Sequence, residues 1–160
     1  MMRGYQAAPI LEPENGRRIQ WGPAIGAGFI PGAILLIVPR GSPWSSLTFF
    51  SPVIMGRTAP PGVELPLAML YLIHLLVSII YGLIMAGVVA GLRIERAIVA
   101  GGLAGLVLYV INFGIVSAFW PGWCGGEVTV VFTHIVFGLI TAGAYRGLLR
   151  RRLRSAAEGT

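Results

Sequence analysis

The sequence predicts an all-α integral membrane protein with four transmembrane helices arranged as two tandem hairpins. Three observations predict this fold class. The composition is 56% hydrophobic and only 11% charged, with a mean hydropathy of +0.80, far from the averages of soluble domains. Four apolar segments are long enough to cross a bilayer core of roughly 30 Å. The third observation is an internal repeat, which groups these segments into pairs.

The repeat is a stretch of fourteen residues that occurs twice, 56 positions apart. IIYGLIMAGVVAGL at 79–92 returns as IVFGLITAGAYRGL at 135–148, with eight identical residues. Because one complete hairpin separates the two copies, they run in the same direction, and the repeat is parallel and not inverted. The hairpins are therefore expected to form a four-helix bundle about a pseudo-twofold axis along the membrane normal.

Each element has its own sequence signals. The N-terminal tail at 1–18 lacks the apolar core of a cleavable signal peptide. The membrane domain at 19–149 follows, with spans expected at 19–38, 66–92, 97–119 and 128–149. The first span is the weakest, because Pro31 interrupts it. Within the 39–65 loop, residues 46–55 are too short to cross and are expected in the interface. A basic tail at 150–160 ends the sequence.

The arginines predict the orientation. All twelve basic residues are arginine, and ten of them flank the side of the spans that carries both tails. Only Arg40 and Arg57 fall in the two opposite loops, so the positive-inside rule places both termini in the cytoplasm of a bacterial inner membrane. Nucleic acid is not an expected partner, because the basic residues form no continuous face. Lipids are an expected partner, because the arginine cluster at 146–154 could attract anionic headgroups. The role of these arginines in fixing the topology would also explain the cluster without any lipid binding.

Small residues recur four positions apart on every span and predict close helix packing. In lipid no hydrophobic force drives helices together, so close backbone approach supplies much of the attraction. The predicted helix-packing glycines are Gly28, Gly32, Gly82, Gly87, Gly91, Gly101, Gly105, Gly138, Gly143 and Gly147. Spans two and four carry them on two faces. The simpler interpretation is that both of these faces pack against other helices of the same chain. The alternative is that one face packs inside the bundle and the other is free to contact another protein.

Few polar side chains lie inside the spans, and their depths agree. At about 1.5 Å per residue, His74, Asn112 and His134 lie about 12, 13 and 10 Å from the outer ends of their spans. These three residues are called the polar layer below. The simplest interpretation is a set of interhelical hydrogen bonds. The hydroxyl groups that could join them belong to Ser78, Tyr109 and Thr133.

Three functional interpretations of the polar layer are also open. His74 and His134, if opposed on neighbouring helices, could ligate a b-type haem. Alternatively, a histidine could hold the polar head of a quinone, lipid or carotenoid on which Trp120, Phe113 or Phe137 stacks. A proton or ion path is disfavoured, because no carboxylate lies within a span.

No motif of high catalytic specificity occurs, and Cys124 is the only cysteine, so the chain alone can form no disulfide. The chain is therefore expected not to be an enzyme. The leading hypothesis is a non-catalytic subunit of a larger membrane complex, such as a bacterial respiratory or other energy-transducing assembly, with other integral membrane subunits as partners. The alternatives are a small b-type cytochrome with two axial histidines and a small-solute carrier acting as an oligomer.

Overall fold

The computed structural model describes residues 18–37, 67–119 and 128–159. These residues form four α-helices: α1 (Trp21–Ile37), α2 (Leu67–Val89), α3 (Ile94–Phe119) and α4 (Val128–Glu158). The all-helical fold predicted from the sequence is confirmed. The helices α2, α3 and α4 are each long and apolar enough to cross a membrane, whereas α1 is a shorter apolar helix. The expected interfacial segment at 46–55 and Cys124 lie outside the described residues.

A tight turn joins α2 to α3. Gly91 has a φ of 79°, in the left-handed region that glycine adopts at helix ends without strain. The N–H of Leu92 donates to the carbonyl of Val89 at 3.1 Å, and the N–H of Ala97 donates to the carbonyl of Arg93 at 2.8 Å. The first bond closes the turn after α2, and the second lies at the start of α3. Gly91 therefore terminates a helix, which is a different role from the helix packing predicted for it.

The four helices have two central and two peripheral members. The helix α1 packs against α2 and α4, and α3 packs against the same two helices. The helices α2 and α4 also touch each other, whereas α1 and α3 make no contact within the described residues. The helices that carry the two copies of the repeated sequence therefore form the middle of the bundle.

Glycines bring the helix backbones into direct contact at two crossings. Between α1 and α2, a Cβ added to Gly82 would lie 2.5 Å from the Cα of Gly28. Between α3 and α4, a Cβ added to Gly101 would lie 2.5 Å from the carbonyl oxygen of Gly138. No side chain fits in these places, so the contacts between backbones supply the packing that holds each pair together.

All the charged residues that the structure describes lie at one end of the bundle, called the arginine end. Its basic residues are Arg18, Arg93, Arg96, Arg146, Arg150, Arg151, Arg152 and Arg154, and its acidic residues are Glu95 and Glu158. Tyr145 is fully buried there, and its hydroxyl oxygen accepts the backbone N–H of Gln20 at 3.3 Å. Tyr145 thus joins the residue before α1 to the middle of α4.

Candidate functional site: the polar layer

A series of hydrogen bonds joins α2, α3 and α4, and we call it the three-helix network. The hydroxyl of Tyr81 donates to Oδ1 of Asn112. The amide Nδ2 of Asn112 donates to Nε2 of His134 at 3.0 Å, and Nδ1 of His134 lies 2.9 Å from the carbonyl oxygen of Val130. The carbonyl can only accept, so this network assigns the imidazole proton to Nδ1 and leaves Nε2 as the acceptor.

The network lies on the inward face of α4 because buried residues recur there at helical spacing. His134, Phe137, Thr141 and Tyr145 are all buried, three or four positions apart. The hydroxyl of Thr141 donates to the carbonyl of Phe137 at 2.7 Å, one turn earlier on the same helix. This local bond satisfies a polar side chain that the apolar interior would otherwise penalise.

Aromatic rings enclose the network. The ring of Tyr109 meets the imidazole of His134 edge-on, with centroids 5.6 Å apart and an interplanar angle of 72°. The rings of Tyr81 and Phe137 make a similar contact at 6.2 Å and 77°. Edge-to-face contacts of this kind add to the packing energy. Tyr81 is therefore held both by its hydroxyl and by its ring.

His74 occupies a different part of the bundle, between α2 and α1. Its Nε2 donates to the carbonyl oxygen of Gly32 at 2.9 Å, and the side chain is completely buried. Ser78, one turn later, is also buried, and among the described residues its hydroxyl has no hydrogen-bond partner. A Cβ added to Gly32 would lie 2.8 Å from this hydroxyl. Gly32 therefore admits Ser78 to the interface.

The structure joins two of the three residues of the polar layer and separates the third. Asn112 and His134 share a hydrogen bond, while His74 bonds to the backbone of α1. Tyr81 was not anticipated from the sequence. The signal that could have revealed it is the repeat itself, because Tyr81 carries a hydroxyl where the equivalent Phe137 has none.

The hydrogen bonds do not suit ligation of a haem by the two histidines. An axial histidine needs a ring nitrogen directed at the iron. Both ring nitrogens of His134 are engaged, by Asn112 and by Val130, and Nε2 of His74 is engaged by Gly32. Haem binding through both Nε2 atoms would require the loss of two of these bonds.

The aromatic residues proposed to stack on a quinone, lipid or carotenoid are spread over different places. Phe137 is buried against Tyr81. Phe113 is exposed and stacks on Tyr109, with centroids 6.0 Å apart, and Trp120 lies outside the described residues. Among the described residues, no group of three or more His, Cys, Asp or Glu could hold a metal ion.

The predicted packing glycines divide into inner and outer groups. The inner glycines, where an added Cβ would meet another helix at 3.0 Å or closer, are Gly28, Gly32, Gly82, Gly101, Gly105 and Gly138. Gly87 has only the side chain of Ile19 near it, at 3.6 Å. At Gly143 and Gly147 no neighbouring atom of the described chain lies within 4 Å of an added Cβ. We call these last two residues the open glycine face.

Comparison of the chain with protein-family models, with curated proteins and with solved structures finds no match.

Proposed function

We propose that this chain is a non-catalytic integral membrane subunit that packs against the transmembrane helices of a larger complex in a bacterial inner membrane. The observation that supports the proposal is the open glycine face of α4. On the inner side of the same helix, Gly138 packs against Gly101 of α3. Gly143 and Gly147 are also four residues apart, but no other helix of the described residues comes within 4 Å of a Cβ added to either of them.

An uncovered glycine pair within a membrane helix has a cost and needs a compensating use. Glycine in a helix is about 0.5–1 kcal/mol less favourable than alanine. The cost is recovered when the backbone of a second helix enters the notch, because close approach increases dispersion contacts in lipid. We therefore place a transmembrane helix of a partner subunit against Gly143 and Gly147. An energy-transducing assembly is the kind of complex that the sequence favours.

The polar layer acts as an internal brace in this proposal. Interhelical hydrogen bonds in membranes contribute about 0.5–2 kcal/mol each. The three-helix network and the bond from His74 to Gly32 together connect all four helices. A bundle braced in this way presents its outer faces to a partner in a fixed arrangement.

The proposal includes the parallel repeat and its pseudo-twofold axis. Gly82 packs on Gly28 as its equivalent, Gly138, packs on Gly101. Tyr81 and the equivalent Phe137 are in contact with each other. Two residues related by a twofold axis can touch only where both lie close to that axis. These contacts support an axis that passes between α2 and α4. The distribution of arginines supports an arginine end in the cytoplasm.

The experiment is capture of the tagged full-length chain from its native membrane in a mild detergent, followed by mass spectrometry of the particle. We expect other membrane subunits in a fixed ratio to the chain. Gly143→Leu should abolish their recovery, because a large side chain keeps the partner backbone away. Gly114→Leu is the matched control, since a Cβ added to Gly114 on α3 also meets no neighbouring atom of the described residues within 4 Å.

Three results would contradict the proposal. The first is a wild-type chain that is recovered alone or only as an oligomer of itself, which would favour the carrier. The second is retention of the partners by Gly143→Leu. The third is a Soret absorption band that is lost in both His74→Ala and His134→Ala, which would favour the cytochrome. Thermal unfolding of each isolated variant checks that its bundle is intact.

A further inference from the structure

The helix α4 is longer than a bilayer is thick. Its 31 residues span about 46 Å at about 1.5 Å per residue, whereas the hydrocarbon core is roughly 30 Å. All of its residues from Arg150 onwards are exposed. The basic segment expected as a tail at 150–160 is therefore helical to Glu158, and its arginines have fixed positions relative to the bundle.

Three arginines of α4 form a row that we call the arginine ladder: Arg146, Arg150 and Arg154. Residues four apart share one face of a helix. Arg150 and Arg154 on this face are exposed, whereas Arg146 is partly buried. Arg152 lies on another face, where its Nη1 is 3.7 Å from a Cβ added to Gly22 of α1. The ladder is thus on a side of α4 that the other described helices leave largely open.

The depth of the ladder matches the level of lipid phosphates. With Val128 at the opposite edge of the hydrocarbon, Arg146 lies about 27 Å along the axis and Arg150 about 33 Å. The hydrocarbon ends at roughly 30 Å, and the headgroup region extends several ångströms beyond it. Arg146 therefore lies just inside the edge of the hydrocarbon and Arg150 just outside it, so both guanidinium groups can reach the lipid phosphates.

We propose that the arginine ladder binds an anionic phospholipid headgroup. Guanidinium groups form paired, charge-assisted hydrogen bonds with phosphate oxygens. The three cations also repel one another, and a bound anion removes that repulsion. Glu158 is the only carboxylate of α4, and its place one turn beyond Arg154 leaves Arg146 and Arg150 without an acidic neighbour on their helix. An acidic protein segment would meet the ladder from the aqueous side, whereas Arg146 lies at the depth of the lipid.

The test measures lipid retention by the purified full-length chain, using native mass spectrometry with phosphatidylglycerol or phosphatidylcholine added. The wild type should retain phosphatidylglycerol in preference. Arg146→Gln/Arg150→Gln should weaken that preference by about fivefold for each arginine removed. Arg151→Gln/Arg152→Gln is the matched control, because it removes the same charge from other faces and should retain most of the lipid.

Several outcomes would overturn the inference. If the two double variants lose equal amounts of phosphatidylglycerol, the preference depends only on net charge and not on the arginine ladder. If the wild type shows no preference for phosphatidylglycerol over phosphatidylcholine, the ladder does not bind an anionic headgroup. Displacement of the lipid by millimolar inorganic phosphate would identify a site for free anions. Should Arg146→Gln/Arg150→Gln fail to give a helical circular dichroism spectrum, Arg150→Gln alone makes the same comparison with Arg151→Gln. Gly147 lies three residues before Arg150 and therefore on the same side of α4, so lipid retention is measured on the purified chain without partner subunits. Recovery of partner subunits is a separate measurement, and either proposal can fail without the other.

Discussion

Asn112 is the residue on which the three-helix network depends. Its carbonyl oxygen accepts from Tyr81 and its amide nitrogen donates to His134, so one side chain serves two partners on two other helices. Replacement of Asn112 by an apolar residue leaves both partners without this bond in a place where water does not compensate.

We expect Asn112→Leu to lower the free energy of unfolding by about 1–3 kcal/mol, because two polar groups lose their partner. Tyr81→Phe keeps the ring contact with Phe137 and the bond between Asn112 and His134, and should cost about 0.5–1.5 kcal/mol. The measurement is titration of the purified chain in detergent with sodium dodecyl sulfate, followed by circular dichroism. An Asn112→Leu variant as stable as the wild type would show that the network contributes nothing.

Counting residues along the spans was sufficient to place Asn112 and His134 at one depth, because a helix has a constant rise per residue. The bond from His74 to Gly32 could not be foreseen in that way. Its acceptor is a backbone carbonyl, which every residue has, so no side chain in α1 marks it. Polar residues in sequence reveal possible donors, but the acceptor depends on which helix lies opposite.

At the scale of a helix, spacing alone does not separate the inner from the outer glycines. Gly138 and Gly143 both belong to pairs four residues apart in an apolar segment. A helix that is apolar on all sides has no polar face to mark the direction of lipid. Only the positions of the other helices show that Gly138 is covered and Gly143 is open.

The same small change at these two glycines should therefore have opposite effects. Gly138→Ala forces a methyl group against the backbone of Gly101 and should destabilise the bundle by about 1–3 kcal/mol or more. In Gly143→Ala the new methyl group meets no neighbouring atom of the described residues within 4 Å, so the change should be neutral or stabilise the isolated chain by up to about 1 kcal/mol. Unfolding of both variants in the same detergent provides the comparison. Similar losses at both positions would contradict the packing described for α4.

Hydropathy predicts where the membrane span ends, and the helix α4 continues beyond that point. The apolar pattern stops at 149, whereas the helix continues to Glu158. Hydropathy reports the solvent around a segment and not its backbone conformation. Arginine and alanine are good helix formers, and residues 150–158 contain neither proline nor glycine, so the helix continues into water.

At the scale of the whole molecule, the all-helical fold followed from composition and segment length, because only helices and closed barrels satisfy backbone groups in lipid. The contact partners of each helix did not follow. Any two apolar helices can adjoin in lipid without a hydrophobic penalty. The central position of α2 and α4 is evident only from the glycine crossings and the buried hydrogen bonds of the structure.

The orientation is the prediction that belongs to this scale. A reporter fused after Thr160 should be cytoplasmic, and one inserted near Ser45 should be external, because ten of the twelve arginines flank the side of the tails. Enzymatic and fluorescent reporters that are active on opposite sides of the membrane measure this in living cells. The reverse pattern would place the arginine end outside and would exclude the proposed orientation.

Because the charged residues that the structure describes lie at one end of the bundle, the inserted protein cannot readily invert in the membrane. Inversion of the bundle would carry the ten arginines that flank this side through hydrocarbon, and each costs at least about 2.5–3.5 kcal/mol at the centre of a bilayer. The sum exceeds thermal energy by more than an order of magnitude. Orientation is thus decided during synthesis and does not equilibrate afterwards. In artificial vesicles, the ratio of the two orientations is therefore set by the method of reconstitution and does not change afterwards.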